Sequence, residues 1–580
     1  MKKEKITFLN KICSVLQQAF EGFKKDSFYY FVFFYFSLIS LVSENSTTTW
    51  QEAIGLLVRV CTMVILCWGL VSTLRFLIPI FKYRKVLFQV AVWGILIVHV
   101  FICTADLFLL NYYEQNMSKG LAFVLFETNK SDIFEFLEMH NREKSWAVYF
   151  YLALPAIAYW IFQASFFDKI RASIGHFFFA SLIAMTALFI ISPIEGFVSM
   201  RALQPTLTFL RAIPEYQKEL KAYQEIADNV RDFNLEHKVK SISPSKKNLT
   251  VIIMGESTSR THMSLYGYPR PTSPLLEKMR GDLYIFDDVM SPHSHTVPTL
   301  KKVLTYFNKD NEGNWYDYPT LFDIFKASSS KTYWISNQET FGIWARFGTV
   351  LGNQADVAIF HDRVVSSRDF RKTNAYPPDG VLLSYLEKVI QNDTTSNQLI
   401  ILHLMGTHGW YDERYPENFS RFNHKVDSSL FADRPFLDSA KKNIVDSYDN
   451  AVLYNDWVVS EMIKIISKKK DYATAVLYLS DHGEEVYEYR DMFGHNEISG
   501  SIYMIEIPFF IWLSDTYKEK KPKKVNHISN SIHCRYMSDD LIHTILDLSD
   551  LRHEMWDSTR SVINPAFDST RKRIYAGKEY

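Results

Sequence analysis

The chain has 580 residues, room for several domains at ~150 residues each. Its 64 Lys and Arg balance 64 Asp and Glu, so it lacks the basic excess with which a dedicated nucleic-acid binder meets phosphates. Hydrophobic residues make up 47% of the sequence with no low-complexity tract, which excludes global disorder.

The apolar residues are concentrated in the first third. Five runs, 28–42, 53–73, 86–110, 146–167 and 174–194, approach or exceed the ~20 residues that a helix needs to cross a bilayer. They predict an all-α transmembrane bundle of five helices over 1–195. Basic residues cluster before the first run (Lys2, Lys3, Lys5, Lys11, Lys24, Lys25), between the second and third (Arg75, Lys82, Arg84, Lys85) and between the fourth and fifth (Lys169, Arg171). The positive-inside rule therefore places the N-terminus in the cytoplasm and the chain after 194 outside. No small-residue cleavage site follows the first run, which reads as a retained anchor. Arg59, His99 and Asp106 fall within runs; they either snorkel or pair inside the bundle, or mark a polar pathway. The outside loop 111–145 mixes Leu121 to Phe126, Ile133, Phe136 and Leu137 with Glu127, Asp132, Glu135 and Glu138. Such a segment either lies in the headgroup layer or packs on the soluble domain.

Residues 196–247 are charged and helix-forming and end in the breaker Ser241-Ile242-Ser243-Pro244-Ser245, which marks a boundary. Over 248–580 short apolar runs at 249–254, 332–336, 399–405, 473–480 and 509–513 predict buried strands. Amphipathic stretches at 297–307, 318–326, 381–390 and 440–466 predict helices between them. This alternation implies an α/β domain with a largely parallel sheet covered on both faces. Cys534 is the one cysteine after residue 110, so no disulfide forms within this domain.

In such sheets ligands gather beyond the carboxyl ends of the strands. Those ends read Gly255-Glu256-Ser257-Thr258, His403-Leu404-Met405-Gly406-Thr407-His408-Gly409 and Ser480-Asp481-His482-Gly483-Glu484, with Gly494-His495 beyond. Carboxylate plus imidazole is a ligand set for Zn²⁺, less specifically Mn²⁺, and Glu256, Asp481 and His482 can converge on one ion. His403 and His408 either face the same cleft or are satisfied within the sheet. In Ser291-Pro292-His293-Ser294-His295-Thr296-Val297-Pro298, Pro298 suits a first helical turn. Thr296 then sits at a helix N-terminus, where it is either an ordinary cap or a metal-activated nucleophile facing a cradled phosphoryl group.

These motifs, with Ser264-Leu265-Tyr266-Gly267-Tyr268-Pro269-Arg270 and Tyr448-Asp449-Asn450-Ala451-Val452-Leu453-Tyr454, resemble those of the bacterial phosphoethanolamine transferases that decorate lipopolysaccharide. Five spans followed by a catalytic domain of alkaline phosphatase and sulfatase type is that family's layout. Ser291-Pro292 and Trp334-Ile335-Ser336-Asn337-Gln338 look most like the branch acting on core sugars. The resemblance implies that Glu256, Thr296, Asp481 and His482 hold a zinc ion, one of possibly two, and that Thr296 carries phosphoethanolamine covalently. It implies that His403, His408 and His495 bind the transferred phosphate or a second zinc, with His408 or His403 shuttling the proton. Asn337 joins the substrate-binding set, and Glu127 and Thr128 hold the donor headgroup. It further implies a monomeric, multi-pass inner-membrane enzyme with its catalytic domain in the periplasm. The donor would be phosphatidylethanolamine and the acceptor lipopolysaccharide, on a core sugar or lipid A, with resistance to cationic peptides as the outcome. A phosphoglycerol transferase or membrane-anchored sulfatase or phosphatase could use the same scaffold, and a non-catalytic membrane sensor is the reading from another class.

Overall fold

The computed structural model describes residues 84–113 and 204–227 and, from 233 onward, all but 234, 236, 244, 339–342, 362–376, 426–428, 432–433 and 498–499, together with Val32, Tyr35 and Ala122. Apart from Val32 and Tyr35, the apolar runs at 28–42, 53–73, 146–167 and 174–194, with Arg59, lie outside the described residues, as do Glu127 and Thr128. The chain divides into two compact units between Lys218 and Glu219.

In the first unit the third run forms a helix, Arg84–Tyr113. Its stretch Val86–Asp106 has a mean hydropathy of 2.4, and among the described residues this is the one helix long and apolar enough to cross a membrane. Val86, Val90, Trp93, Ile97 and Phe101 recur every three or four residues as an exposed apolar stripe. Val92, Leu96, His99, Cys103 and Asp106 recur likewise on a buried face. His99 and Asp106 therefore turn inward, and His99 Nε2 lies 3.5 Å from Cys103 Sγ.

The second unit is built on a seven-stranded sheet. Its strands are β1 (Asn248–Gly255), β2 (Leu283–Phe286), β3 (Lys331–Ser336), β4 (Val357–Phe360), β5 (Asn397–His403), β6 (Ala473–Ser480) and β7 (Phe509–Leu513). Their spatial order is β2-β7-β6-β1-β5-β3-β4. β1 runs parallel to β5 and β6, and β3 to β4 and β5, whereas β7 is antiparallel to both its neighbours. All eight residues of β1 are buried, as are all eight of β6, as expected for central strands covered on both faces.

Alternation along the strands divides the core in two. Ile252, Met254, Ile401, Leu477 and Phe509 pack with residues of helices Thr296–Val303, Leu321–Ala327 and Leu541–Leu548. Val251, Ile253, Leu402, Val476 and Phe510 pack with helices Leu382–Asn392 and Ser439–Ser467 on the opposite face. The compact unit begins within helix Gln204–Ala227, and Ser241 already pairs with Leu551 in a short antiparallel ladder. The reason is local: Tyr223 packs 5.9 Å from the rings of Trp315 and Phe347, and Glu219 accepts from Lys301 and from Trp315 Nε1.

Candidate active site

Register places the chemistry. Gly255 pairs with Ser480 and Met254 with His403, so β6, β1 and β5 release Asp481, Glu256 and the 403–409 turn side by side at one edge of the sheet. Glu256, Asp481 and His482 are all buried, and their ligand atoms lie within 4.8 Å of one another. Thr296 opens its helix with its hydroxyl 3.1 and 3.0 Å from the Glu256 oxygens and 3.5 Å from His482 Nε2. Three segments far apart in sequence thus bring four residues to one point.

Their second partners fix how each presents itself. His482 Nδ1 donates to the Gly483 carbonyl at 2.8 Å, which turns Nε2 towards the cluster. Asp481 Oδ1 accepts from the Ser257 and His482 amides at 3.2 and 2.7 Å, while Oδ2, buried, makes no hydrogen bond. A buried carboxylate oxygen without a donor is costly unless something positive meets it. Electrostatics agree. Burial, then the nearby Glu256, pushes Asp481 up to about 8. Burial opposes ionisation of Glu256 too, but the hydrogen bond and charge of His482 hold it well below the usual carboxylate range. Burial works against a charged His482, yet Asp481 and Glu256 push it up to about 10. Two carboxylates this close in a dry site share protons unless a cation replaces them. The donor set, three N/O ligands plus a hydroxyl, fits a tetrahedral divalent ion.

Backbone strain and close approach hold the loops. Ser257 has φ 56°, and Tyr448 secures it, its hydroxyl donating to Ser257 O at 2.7 Å and accepting from Ser259 N at 2.8 Å. The 403–409 turn locks on through Thr407, whose amide and hydroxyl donate to Glu256 O at 2.9 and 3.1 Å.

His403 is buried with both ring nitrogens unpartnered, and His408 Nδ1 is likewise unpartnered. Burial pushes each down to about 4, against the pull of Glu256. They are therefore neutral imidazoles beside the carboxylate cluster. His495 Nδ1 lies 2.7 Å from Glu484 Oε2, Glu484 Oε1 accepts from Tyr411 OH at 2.6 Å, and the His495 ring is 4.3 Å from that of His482. His482, Glu484 and His495 form a second group with metal-ligand spacing.

Asn337 is not brought to this cluster. Its amide nitrogen donates to Pro377 O and Asp379 Oδ1 at 3.0 and 2.8 Å, beneath the 403–409 turn. The next residue does reach the cluster: Gln338 Nε2 donates to Leu404 O at 2.7 Å and to Glu256 Oε2 at 3.3 Å. Sequence reasoning also missed Asp379, which accepts from the Met405 and Gly406 amides at 2.9 and 2.8 Å. Gln338 follows a strand end and was open to the same logic as Glu256. Asp379 follows none.

A doubly covered, mostly parallel sheet with a hydroxyl, two carboxylates and an imidazole at its strand ends defines a sulfatase-type domain, and residues 248–551 match the Sulfatase family. The chain is 30% identical over 525 residues to phosphoethanolamine transferase EptC of Escherichia coli (strain K12), covering 86% of each. The same identity and coverage hold for phosphoethanolamine transferase CptA of Salmonella typhimurium. The chain belongs to the phosphoethanolamine transferase family and is a transferase. Among solved structures it resembles the C-terminal periplasmic domain of Escherichia coli EptC in complex with Zn, at a TM-score of 0.52 and 34% identity over 58% of this chain and 91% of that one. It also shares the fold of the integral membrane lipooligosaccharide phosphoethanolamine transferase A of Neisseria meningitidis, at a TM-score of 0.60 and 19% identity over 94% of this chain and 97% of that one.

Proposed function

We propose that this chain transfers phosphoethanolamine from phosphatidylethanolamine to lipopolysaccharide, on a core sugar or lipid A, through a covalent intermediate on Thr296. The observation that carries the reading is the Thr296 hydroxyl held at 3.0 to 3.1 Å from Glu256 beside Asp481 and His482. Glu256, Thr296, Asp481 and His482 would hold a zinc ion, as the Zn complex of the related periplasmic domain suggests. Bound there, zinc supplies the positive charge that lowers the hydroxyl pKa and offsets charge developing on the phosphoryl oxygens.

The residues of the chain perform the rest. Thr296 Oγ1 forms a bond to the donor phosphorus as the bond from phosphorus to the diacylglycerol oxygen breaks. The Thr296 hydroxyl gives its proton to a neutral imidazole, His408 or His403, which passes it to the departing diacylglycerol oxygen, and phosphoethanolamine stays on Thr296. An acceptor oxygen then displaces Thr296 from phosphorus and gives up its proton to a neutral imidazole, His408 or His403. His495, aligned by Glu484, faces the same phosphate. A lipid donor and a lipid-anchored acceptor account for residues 1–195 as a five-helix inner-membrane anchor, with 248–580 working in the periplasm on a monomer and Glu127 and Thr128 at the donor headgroup. The added ammonium lowers negative surface charge and so weakens the binding of cationic peptides.

Full-length protein incubated with headgroup-labelled phosphatidylethanolamine or phosphatidylglycerol separates the donors. Label should appear on Thr296 with the first lipid only and be absent in Thr296→Ala. Label from phosphatidylglycerol alone would replace this reading with glycerophosphate transfer.

A further inference from the structure

One carboxylate beside the site has no part in the chemistry so far. Glu497 Oε1 lies 2.6 Å from His293 Nδ1. Its Oε2 accepts from Ser294 N at 3.1 Å and from Ser294 Oγ at 3.3 Å, and sits 3.7 Å from His295 Nδ1. It therefore grips the three residues that lead into Thr296. Glu497 itself follows His495 by two residues, and the His495 ring packs 5.0 Å from the ring of His295. A single side chain thus joins the segment that delivers the nucleophile to the loop that delivers an imidazole.

The helix that begins at Thr296 needs such a grip. Its N-cap, His295, makes no side-chain capping bond, so the usual device that fixes where a first turn starts is missing. Glu497 instead holds the segment from outside the helix, accepting from the Ser294 amide just before the cap residue. The loop bearing Glu497 keeps its own anchors without it. Tyr575 OH donates to Asn496 O at 2.6 Å, and Phe493 and Gly494 pair with Val486 and Glu485.

We propose that Glu497 is a positioning residue for phosphoryl capture, setting the separation between the Thr296 hydroxyl and the His482–His495 side of the site by holding Ser294, His293 and His295. It rests on the reading of Thr296 as nucleophile. A misplaced nucleophile slows bond formation without weakening donor binding, because positioning acts on the approach of reacting atoms. The test is single-turnover transfer of headgroup label from phosphatidylethanolamine to Thr296 in full-length protein, comparing wild type with Glu497→Ala and Glu497→Gln. Capture should slow about tenfold or more in Glu497→Ala, with donor KM and bound metal within about twofold of wild type. Glu497→Gln, which keeps one acceptor oxygen, should lie between. A wild-type capture rate in Glu497→Ala overturns the proposal, as does a loss that only parallels lost metal or lost folded protein. Wild-type protein that takes no label on Thr296 overturns the reading of the nucleophile instead.

Discussion

Gly406 allows two loops to meet at a distance that no side chain permits. A Cβ there would stand 2.6 Å from Glu256 O and 2.7 Å from Glu256 N, and the residue has φ 53°. Gly267 has the same left-handed character, φ 101°, but open space around its missing Cβ. Gly267→Ala should cost the left-handed backbone penalty alone, about 1 to 2 kcal/mol, and leave transfer unchanged. Gly406→Ala adds the displacement of Glu256, the carboxylate proposed to hold the metal, so bound zinc and transfer rate should both fall about tenfold or more. Paired measurements of melting temperature, metal content and rate on the two variants decide this, and equal rates would sink it. The position also marks where sequence reading stops. Glu256, Asp481 and His482 were legible because each follows a buried apolar run. The clash at Gly406 and the Asp379 clamp depend on which distant loops the fold brings together, and no spacing records that. Asn337 and Gln338 show the same limit within two residues. Both follow β3, and only the hydrogen bonds of Asn337 to Pro377 and Asp379 reveal which one turns away from the site.

At the level of elements, helix Ser439–Ser467 is tied to the 260–272 segment by buried charge. Asp449 Oδ1 lies 2.6 Å from His262 Nδ1, and its Oδ2 accepts from Tyr268 OH at 2.9 Å and Arg270 Nη1 at 2.7 Å. His262 Nε2 lies 3.2 Å from Glu488, so both ring nitrogens donate to carboxylates. Burial opposes the charged ring, but Asp449 and Glu488 outweigh it and push His262 up to about 9. A pKa raised on folding stabilises fully below the unfolded value of about 6.5 and loses that contribution as pH rises through about 9, roughly 3 kcal/mol in all. Lys302, pushed down to about 8 by burial, works the other way above that pH, so the difference between wild type and His262→Gln is the quantity to follow. Denaturation across pH 6 to 9.5 should show that difference shrinking as pH rises, and a flat difference would refute the assignment. Among the elements, β6 and β7 were readable to the residue because their apolar runs begin and end abruptly. β2 and β4 were not: each is four residues long, and β4 has no fully buried residue, so neither shows the periodicity that marks a strand.

Across the whole molecule, an exposed apolar stripe on helix Arg84–Tyr113 and a polar cluster at the strand ends of residues 219–580 suit one chain to lipid-anchored substrates. The catalytic unit spends stability on that cluster, because Glu256 and Asp481 are buried together with one imidazole between them. A cation that binds the folded chain and not the unfolded one returns that stability by mass action, about 2.7 kcal/mol at a hundred times its Kd. For a unit of residues 219–580 each kcal/mol moves Tm by roughly 1 to 2 °C, so zinc should raise the Tm of chelator-treated protein by about 3 to 5 °C. The ligands must shed protons to bind it, and Asp481, pushed up to about 8, holds one at neutral pH. The zinc-induced rise should therefore be larger at pH 8 than at pH 6. Asp481→Asn should lose most of it, whereas Thr296→Ala, which removes only a hydroxyl, should keep much of it. A chelator that leaves the melting curve of the wild-type protein unmoved at pH 8 would show that Glu256, Asp481 and His482 hold no ion of consequence to the fold.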